Sequence, residues 1–176
     1  MRRLLLAFTL VLLAGCSARI EDYRGTTPPL DLRQYFNGQL QAWGQFQDRS
    51  GKVVRRFSVD LRGTWKGDEG VLEEDFVYDD GEKQRHVWTI IAHPDGRYTG
   101  RAADVVGEAE GRVAGNALHW RYTLALPVDG KVYHVKMDDW MYLQDGRHLV
   151  NRTSMSKFGI HLGEVTLFFR RVEGTP

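Results

Sequence analysis

The sequence has a single cysteine, Cys16, in 176 residues, so no disulfide can form within the chain. It also lacks an excess of either charge: 24 lysines and arginines stand against 23 aspartates and glutamates. With the signs so mixed, the basic footprint of a nucleic-acid binder is missing. Long apolar runs are absent too. The run from Leu4 to Leu13 is broken at Thr9 and falls short of the roughly 20 residues that a bilayer-spanning helix needs. No Gly-x-Ser-x-Gly elbow, P-loop or dinucleotide fingerprint occurs. Beyond the first residues no segment carries a sustained helical stripe, and only Leu30–Phe36 and Ser156–His161 have room for a helical turn or two.

What is there begins at the first residue. Met1-Arg2-Arg3 is a short basic start, followed by the apolar run and then by small residues, the three parts of a secretory signal peptide. The run ends in Leu13-Ala14-Gly15-Cys16, which matches a bacterial lipobox. That resemblance implies cleavage after residue 15 and a diacylglycerol on the Cys16 thiol. A thioether-linked lipid removes a lone thiol that would be a liability in an exported protein. Two or three acyl chains hold a protein to a membrane, where one gives only marginal binding. Ser17, in place of an aspartate, favours the outer membrane by resemblance to lipoprotein sorting. The expected location is the periplasmic face of a Gram-negative outer membrane.

Removing residues 1–15 leaves 161 residues, with 22 basic against 23 acidic side chains, enough for one domain with a core. Residues 16–34 have little apolar periodicity and contain Thr26-Thr27-Pro28-Pro29. They read as an extended tether between lipid and domain. The domain itself is expected over residues 35–174.

From residue 38 the pattern is strand-like and punctuated by turns. Arg49-Ser50-Gly51, Lys66-Gly67-Asp68, Asp79-Asp80-Gly81, Pro94-Asp95-Gly96, Gly115-Asn116, Asp129-Gly130 and Asp145-Gly146 supply the positive φ angles of tight hairpins. Between them the period is two: Leu118, Trp120, Tyr122, Leu124 and Leu126 share one face, and His119, Arg121 and Thr123 the other. About ten long sequential strands predict an all-β, antiparallel up-and-down barrel of lipocalin or calycin type, with 8–10 strands. A two-sheet sandwich is the competing architecture. A transmembrane barrel conflicts with Glu74 on the apolar face of Leu72–Tyr78 and with Glu73 and Asp75 opposite.

The body also carries a family resemblance. Tyr35-Phe36-Asn37-Gly38 with Leu40-Gln41-Ala42-Trp43-Gly44, then Asp75 to Gly81 with Arg85 and Trp88, then Asn151 through Lys157-Phe158-Gly159 resemble the motifs of domain-of-unknown-function family 3833, a group of Gram-negative lipoproteins. The resemblance spans roughly residues 35–172. It implies a lipoprotein with a lipocalin-like fold and no assigned activity.

Few residues point to chemistry. Of the six histidines, His86, His119 and His134 beside Asp138 are the set that a barrel most readily converges, but none has the spacing of a structural zinc site. No metal or cofactor is expected. Ser154-Met155-Ser156-Lys157 matches Ser-x-x-Lys, yet that nucleophile opens a helix and needs companion motifs, and residues 148–155 read as a strand. Glu73-Glu74-Asp75, Asp79-Asp80 and Asp138-Asp139 are neighbours whose side chains point to opposite faces, so they cannot act as pairs.

The tryptophans are more informative. Trp43 shares a face with Gln41 and Gln45, and Trp140 with His134, Lys136, Asp138 and Tyr142. Apolar walls with a few polar anchors are what a ligand pocket requires. Trp43, Trp88, Trp120 and Trp140 are therefore the candidate ligand-binding residues, against the reading that they plug the ends or coat the outside. The expectation is a lipid-anchored, non-enzymatic barrel that binds a small apolar or amphipathic ligand. The alternative is a filled barrel acting in envelope assembly or interaction, with protein partners unspecified.

Overall fold

The computed structural model describes residues 17–172; the expected signal peptide and Cys16 lie outside the described residues. Ten strands follow in order: β1 (Gly38–Asp48), β2 (Val53–Lys66), β3 (Glu69–Tyr78), β4 (Lys83–Ala92), β5 (Arg97–Arg101), β6 (Ala109–Ala114), β7 (Ala117–Val128), β8 (Lys131–Leu143), β9 (His148–Lys157) and β10 (Ile160–Arg171). Each pairs antiparallel with its neighbours in sequence, and β1 pairs with β10 to close the barrel. The up-and-down barrel is thus the observed architecture, and the sandwich is not. Closure leaves no sheet edge unpaired.

Alternation decides which side chains face inward. On β7 the face Leu118, Trp120, Tyr122, Leu124 is inward, and the opposite face carries His119 and Arg121. All seven turn signals fall between strands. The outer wall is laced with ion pairs, among them Arg85 with Glu73 and Asp75, Arg152 with Glu164, and Arg101 with Glu108. A wall of that kind does not suit contact with lipid. Among the described residues no helix is long and apolar enough to cross a membrane.

The two ends of the barrel differ. At the end that holds the β2–β3, β4–β5, β6–β7 and β8–β9 turns, residues 30–37 lie across the opening, while Ile20–Tyr23 packs beside it against β6 to β8. The helical turn α1 (Leu32–Tyr35) is capped by Asp31, whose carboxylate accepts the Arg33 amide hydrogen. Leu30, Leu32, Tyr35 and Phe36 are buried there with Leu40, Leu61, Leu118, Leu143, Leu149 and Phe169. Gly63 makes this seat possible: a Cβ on it would lie 1.5 Å from the Phe36 carbonyl oxygen.

The expected extended tether is therefore corrected over its described part. Ile20 and Leu30 bury, the Leu30 amide donates to the Gly115 carbonyl at 2.8 Å, and the Asn116 amide donates to Thr26 Oγ1 at 2.9 Å. Tyr23 packs against Trp140 and Tyr142 at 5.8 and 5.4 Å between ring centroids. These apolar residues are too widely spaced to form a periodic signal, yet each finds its own recess on the barrel. Of the two segments with room for helix, only the first uses it. Ser156–His161 spans the end of β9, the Phe158-Gly159 turn and the start of β10.

Candidate functional site

Between the seated end and the open mouth the barrel encloses a cavity of about 410 Å³, within the range of small-molecule sites. Its walls are mainly apolar. Phe36, Leu72, Ile90 and Phe169 line the floor, and Phe46, Phe57, Phe76, Leu124, Leu126 and Val165 line the upper part. Trp88 and Trp120 form the middle of one wall, 8% and 4% exposed, edge to face at 5.7 Å; Tyr122 stands at 5.3 Å from Trp88. Small residues on β5 and β6 make room for the indole of Trp120. A Cβ on Gly100 of β5 would lie 2.7 Å from that ring, and one on Gly111 of β6 only 2.4 Å from it.

Two polar clusters interrupt the apolar lining. The first is built on β3, β4 and the β5–β6 loop. Glu74 lies directly opposite His86 in the antiparallel register, and Asp104 reaches the same ring from the loop. His86 Nδ1 is 3.1 Å from Glu74 Oε2, and Nε2 is 2.7 Å from Asp104 Oδ1. A histidine whose two nitrogens both face carboxylates needs two N–H donors, hence the imidazolium. Burial pushes its pKa down, but its hydrogen bonds to the Asp104 and Glu74 carboxylates and their charges outweigh burial and raise it to about 9. The hydrogen bond to His86 holds the Asp104 carboxyl below its ordinary range against burial. The loop is fixed by backbone bonds to β7: the Ala125 amide donates to the Asp104 carbonyl at 2.7 Å, and the Val106 amide to the Thr123 carbonyl at 2.9 Å.

The second cluster is on β8 and β9. Asp139 sits opposite Thr153 and Trp120, buried, and its Oδ1 accepts from the Thr153 hydroxyl and, at 3.5 Å, from Asn151 Nδ2. Burial raises its pKa to about 7 although those two bonds pull it down. Nearer the mouth, Arg55 lies over the Tyr78 ring at 3.6 Å and pairs with Asp80 at 2.8 Å and Glu82 at 2.5 Å.

Not all the expected residues meet. Trp88 and Trp120 line the cavity side by side. Trp43 and Trp140 do not reach it, because the apolar face of each strand turns inward and theirs is the polar one. Trp43, 44% exposed, lies under the Arg170 guanidinium at 5.3 Å. Trp140 is stacked on His119 at 4.1 Å and shares the outer face with Tyr142 and the Tyr23 ring. His119, 3.1 Å from Asp138, is likewise outside, so His86 and His119 stand on opposite faces of the wall. Asp138 and Asp139 also part to opposite faces. Among the described residues no group of three or more His, Cys, Asp or Glu side chains is arranged to hold a metal ion. Ser154 and Lys157 belong to strand β9, and Ser154 Oγ is 3.3 Å from His161 Nδ1.

Asp104 was missed, since it lies in a loop with no alternation to read. Glu74 carried a signal: an acid among the apolar residues of a strand face is a lumen acid once the barrel is closed.

The model of the family described as "Protein of unknown function (DUF3833)" matches residues 10–171. The chain belongs to the DUF3833 family. No curated protein matches it. Among solved structures, this DUF3833 barrel is similar to the S-type phycobiliprotein lyase CPES from Guillardia theta, with a TM-score of 0.62 at 7% identity, over 82% of this chain and 94% of that one. It also matches a de novo designed fluorescence-activating β-barrel, with a TM-score of 0.44 at 13% identity, over 81% and 99%. The first likeness shows a shared fold in the lipocalin-like class.

Proposed function

We propose that this DUF3833 protein is a membrane-anchored binding protein whose barrel holds a small amphipathic molecule. The observation that carries the reading is the open cavity of about 410 Å³, with mainly apolar walls, a polar belt at mid-height and Arg55 near the mouth. A lumen of this kind does not fit the alternative of a filled barrel. The lining residues include no serine, cysteine or lysine, and the one histidine is held on both nitrogens. Binding is thus better supported than nucleophilic catalysis.

The anchor is part of the proposal and rests on Leu13-Ala14-Gly15-Cys16. A lipid on Cys16 is joined through Ser17 to Arg19 to the segment lying on the seated end, where Ile20 is buried. The mouth then opens at the far end of the barrel from the anchor. The outer membrane, periplasmic side, is the proposed location.

Solvent extraction of protein purified from membranes, followed by mass spectrometry, tests the binding function. A recurrent molecule in near-equal amount to protein is expected. Clean extracts, together with tryptophan fluorescence indifferent to amphiphiles, would remove the proposal's support. Cys16→Ala protein should leave the membrane fraction, and its retention there would refute the anchor.

A further inference from the structure

The polar groups of the lumen are unequal in kind, and their inequality selects a ligand. Among the lining residues the only cationic side chains are Arg55 and His86, against the carboxyls of Glu74, Asp104 and Asp139. The two differ in how far they are engaged, and Arg55, near the mouth, keeps a buried Nε–H without a partner among the described residues. Arg55 is paired by Asp80 and Glu82, and His86 by Glu74 and Asp104. The mid-height cluster is two carboxylates around one imidazolium, a net charge of minus one in a wall of low polarity, where charge is screened weakly.

Acceptors are left over. Glu74 gives only Oε2 to His86, and Asp139 takes both of its hydrogen bonds at Oδ1. Between the two clusters stands Tyr122, half-buried and lining the cavity. Its ring contacts Trp88, but its hydroxyl has no hydrogen-bond partner among the described residues. That hydroxyl is not sealed off from the cavity, so it is open to pairing with a ligand group that lies there.

We propose that the bound molecule carries a nitrogen head group that donates hydrogen bonds, an ammonium or comparable N–H group, seated at mid-height between Glu74, Asp104 and Tyr122, with its apolar part along Trp88 and Trp120. The proposal rests on the binding function above. An anionic head, such as a fatty-acid carboxylate, meets at mid-height surplus carboxylates and a cation already held on both nitrogens. It is the class that the site rejects.

The test uses three probes with one tail, dodecylamine, dodecanol and dodecanoate, each kept below its micelle concentration at neutral pH. Quenching of tryptophan fluorescence reads binding. Dodecylammonium is expected to bind at least about tenfold more tightly than dodecanoate, equivalent to about 1.4 kcal/mol, with dodecanol between. Glu74→Gln should shrink that preference, whereas Glu73→Gln, an equal charge change on the outer face where Glu73 pairs with Arg85, should leave it intact. Thermal melts identify a variant that fails to fold, and Asp104→Asn then serves in place of Glu74→Gln.

Equal binding of all three probes, or tighter binding of dodecanoate, overturns the head-group assignment and leaves the binding function standing. An equal effect of Glu73→Gln and Glu74→Gln also overturns it, since the preference would then come from net charge. If no probe binds, the assignment falls. If extracts of the purified protein are also empty, the binding function falls with it.

Discussion

The two ends of this barrel are made by the same ten strands with the same alternation, yet they behave as different materials. The seated end is dry and close-packed: Leu40, Leu118 and Leu149 are essentially inaccessible, and Leu30 to Phe36 pack into the opening. At the mouth, large apolar side chains stay in water. Val54 sits beside the β1–β2 turn, Val132 beside the β7–β8 turn, and Phe158 and Ile160 at the β9–β10 turn, all exposed. Stability is concentrated where the chain crosses the opening, and access is left where it does not. The polar belt lies between the two regimes, buried enough to shift pKa values and open enough to meet a ligand.

The largest difference should come from cavities cut in the seated end. Leu149 is 0% exposed, and Leu149→Ala is expected to cost about 2–5 kcal/mol in denaturant unfolding. A loss under 1 kcal/mol would mean that this end is not the rigid one. Gly63→Ala should follow, at about 1–3 kcal/mol or more, because the added methyl group meets the Phe36 carbonyl, a backbone atom, at 1.5 Å. The displaced α1 seat should show as faster amide exchange over residues 30–37.

How much of this contrast was legible in the sequence depends on what each residue's signal was. Turns are local, so Asp129-Gly130 or Pro94-Asp95-Gly96 announces itself. Faces are periodic, so Leu118 to Leu126 can be sorted without coordinates. The helical turn in Leu30–Phe36 was legible but its seat was not, because the partners of Leu30, Leu32 and the isolated Ile20 lie far along the chain. Trp43 and Trp140 show a different limit. Parity groups residues onto one face, and which face is the lumen follows from the apolar neighbours rather than from the tryptophan. His86 with Glu74 and Asp104 needed the strand register and a loop fold together, and neither spacing nor composition contains those.

Between the ends, pH sharpens the comparison. Asp139 has a folded pKa of about 7 against an ordinary 3.8. Across that window the folded state keeps a proton that the unfolded chain releases. Stability therefore falls as pH rises through the window and levels off above 7, at about 1.4 kcal/mol per unit for a full proton. Asp139→Asn should flatten the slope, melting higher than the wild type above pH 7 and equal to it in acid. His86 adds a second window. Its raised pKa gives stability that is present below 6.5 and lost as pH rises towards about 9. In His86→Gln protein that alkaline loss should disappear from thermal melts, and persistence of an unchanged slope would place its origin elsewhere.

The smallest effect belongs to the mouth, and its sign is informative. Phe158 is 90% exposed and holds a left-handed backbone, φ 53°, in the β9–β10 turn. At the neighbouring β7–β8 turn the same conformation, φ 49°, is taken by Asp129, a residue type that tolerates it. Phe158→Asn should therefore lose no burial and relieve part of the backbone cost, a gain of about 0.5 kcal/mol, with binding measured in parallel by fluorescence. A loss above about 1 kcal/mol would show that the mouth is packed after all and would erase the contrast between the ends. The expected gain would instead mean that a bulky aromatic is kept at the rim against the local preference of its own turn, so its presence there is not explained by stability.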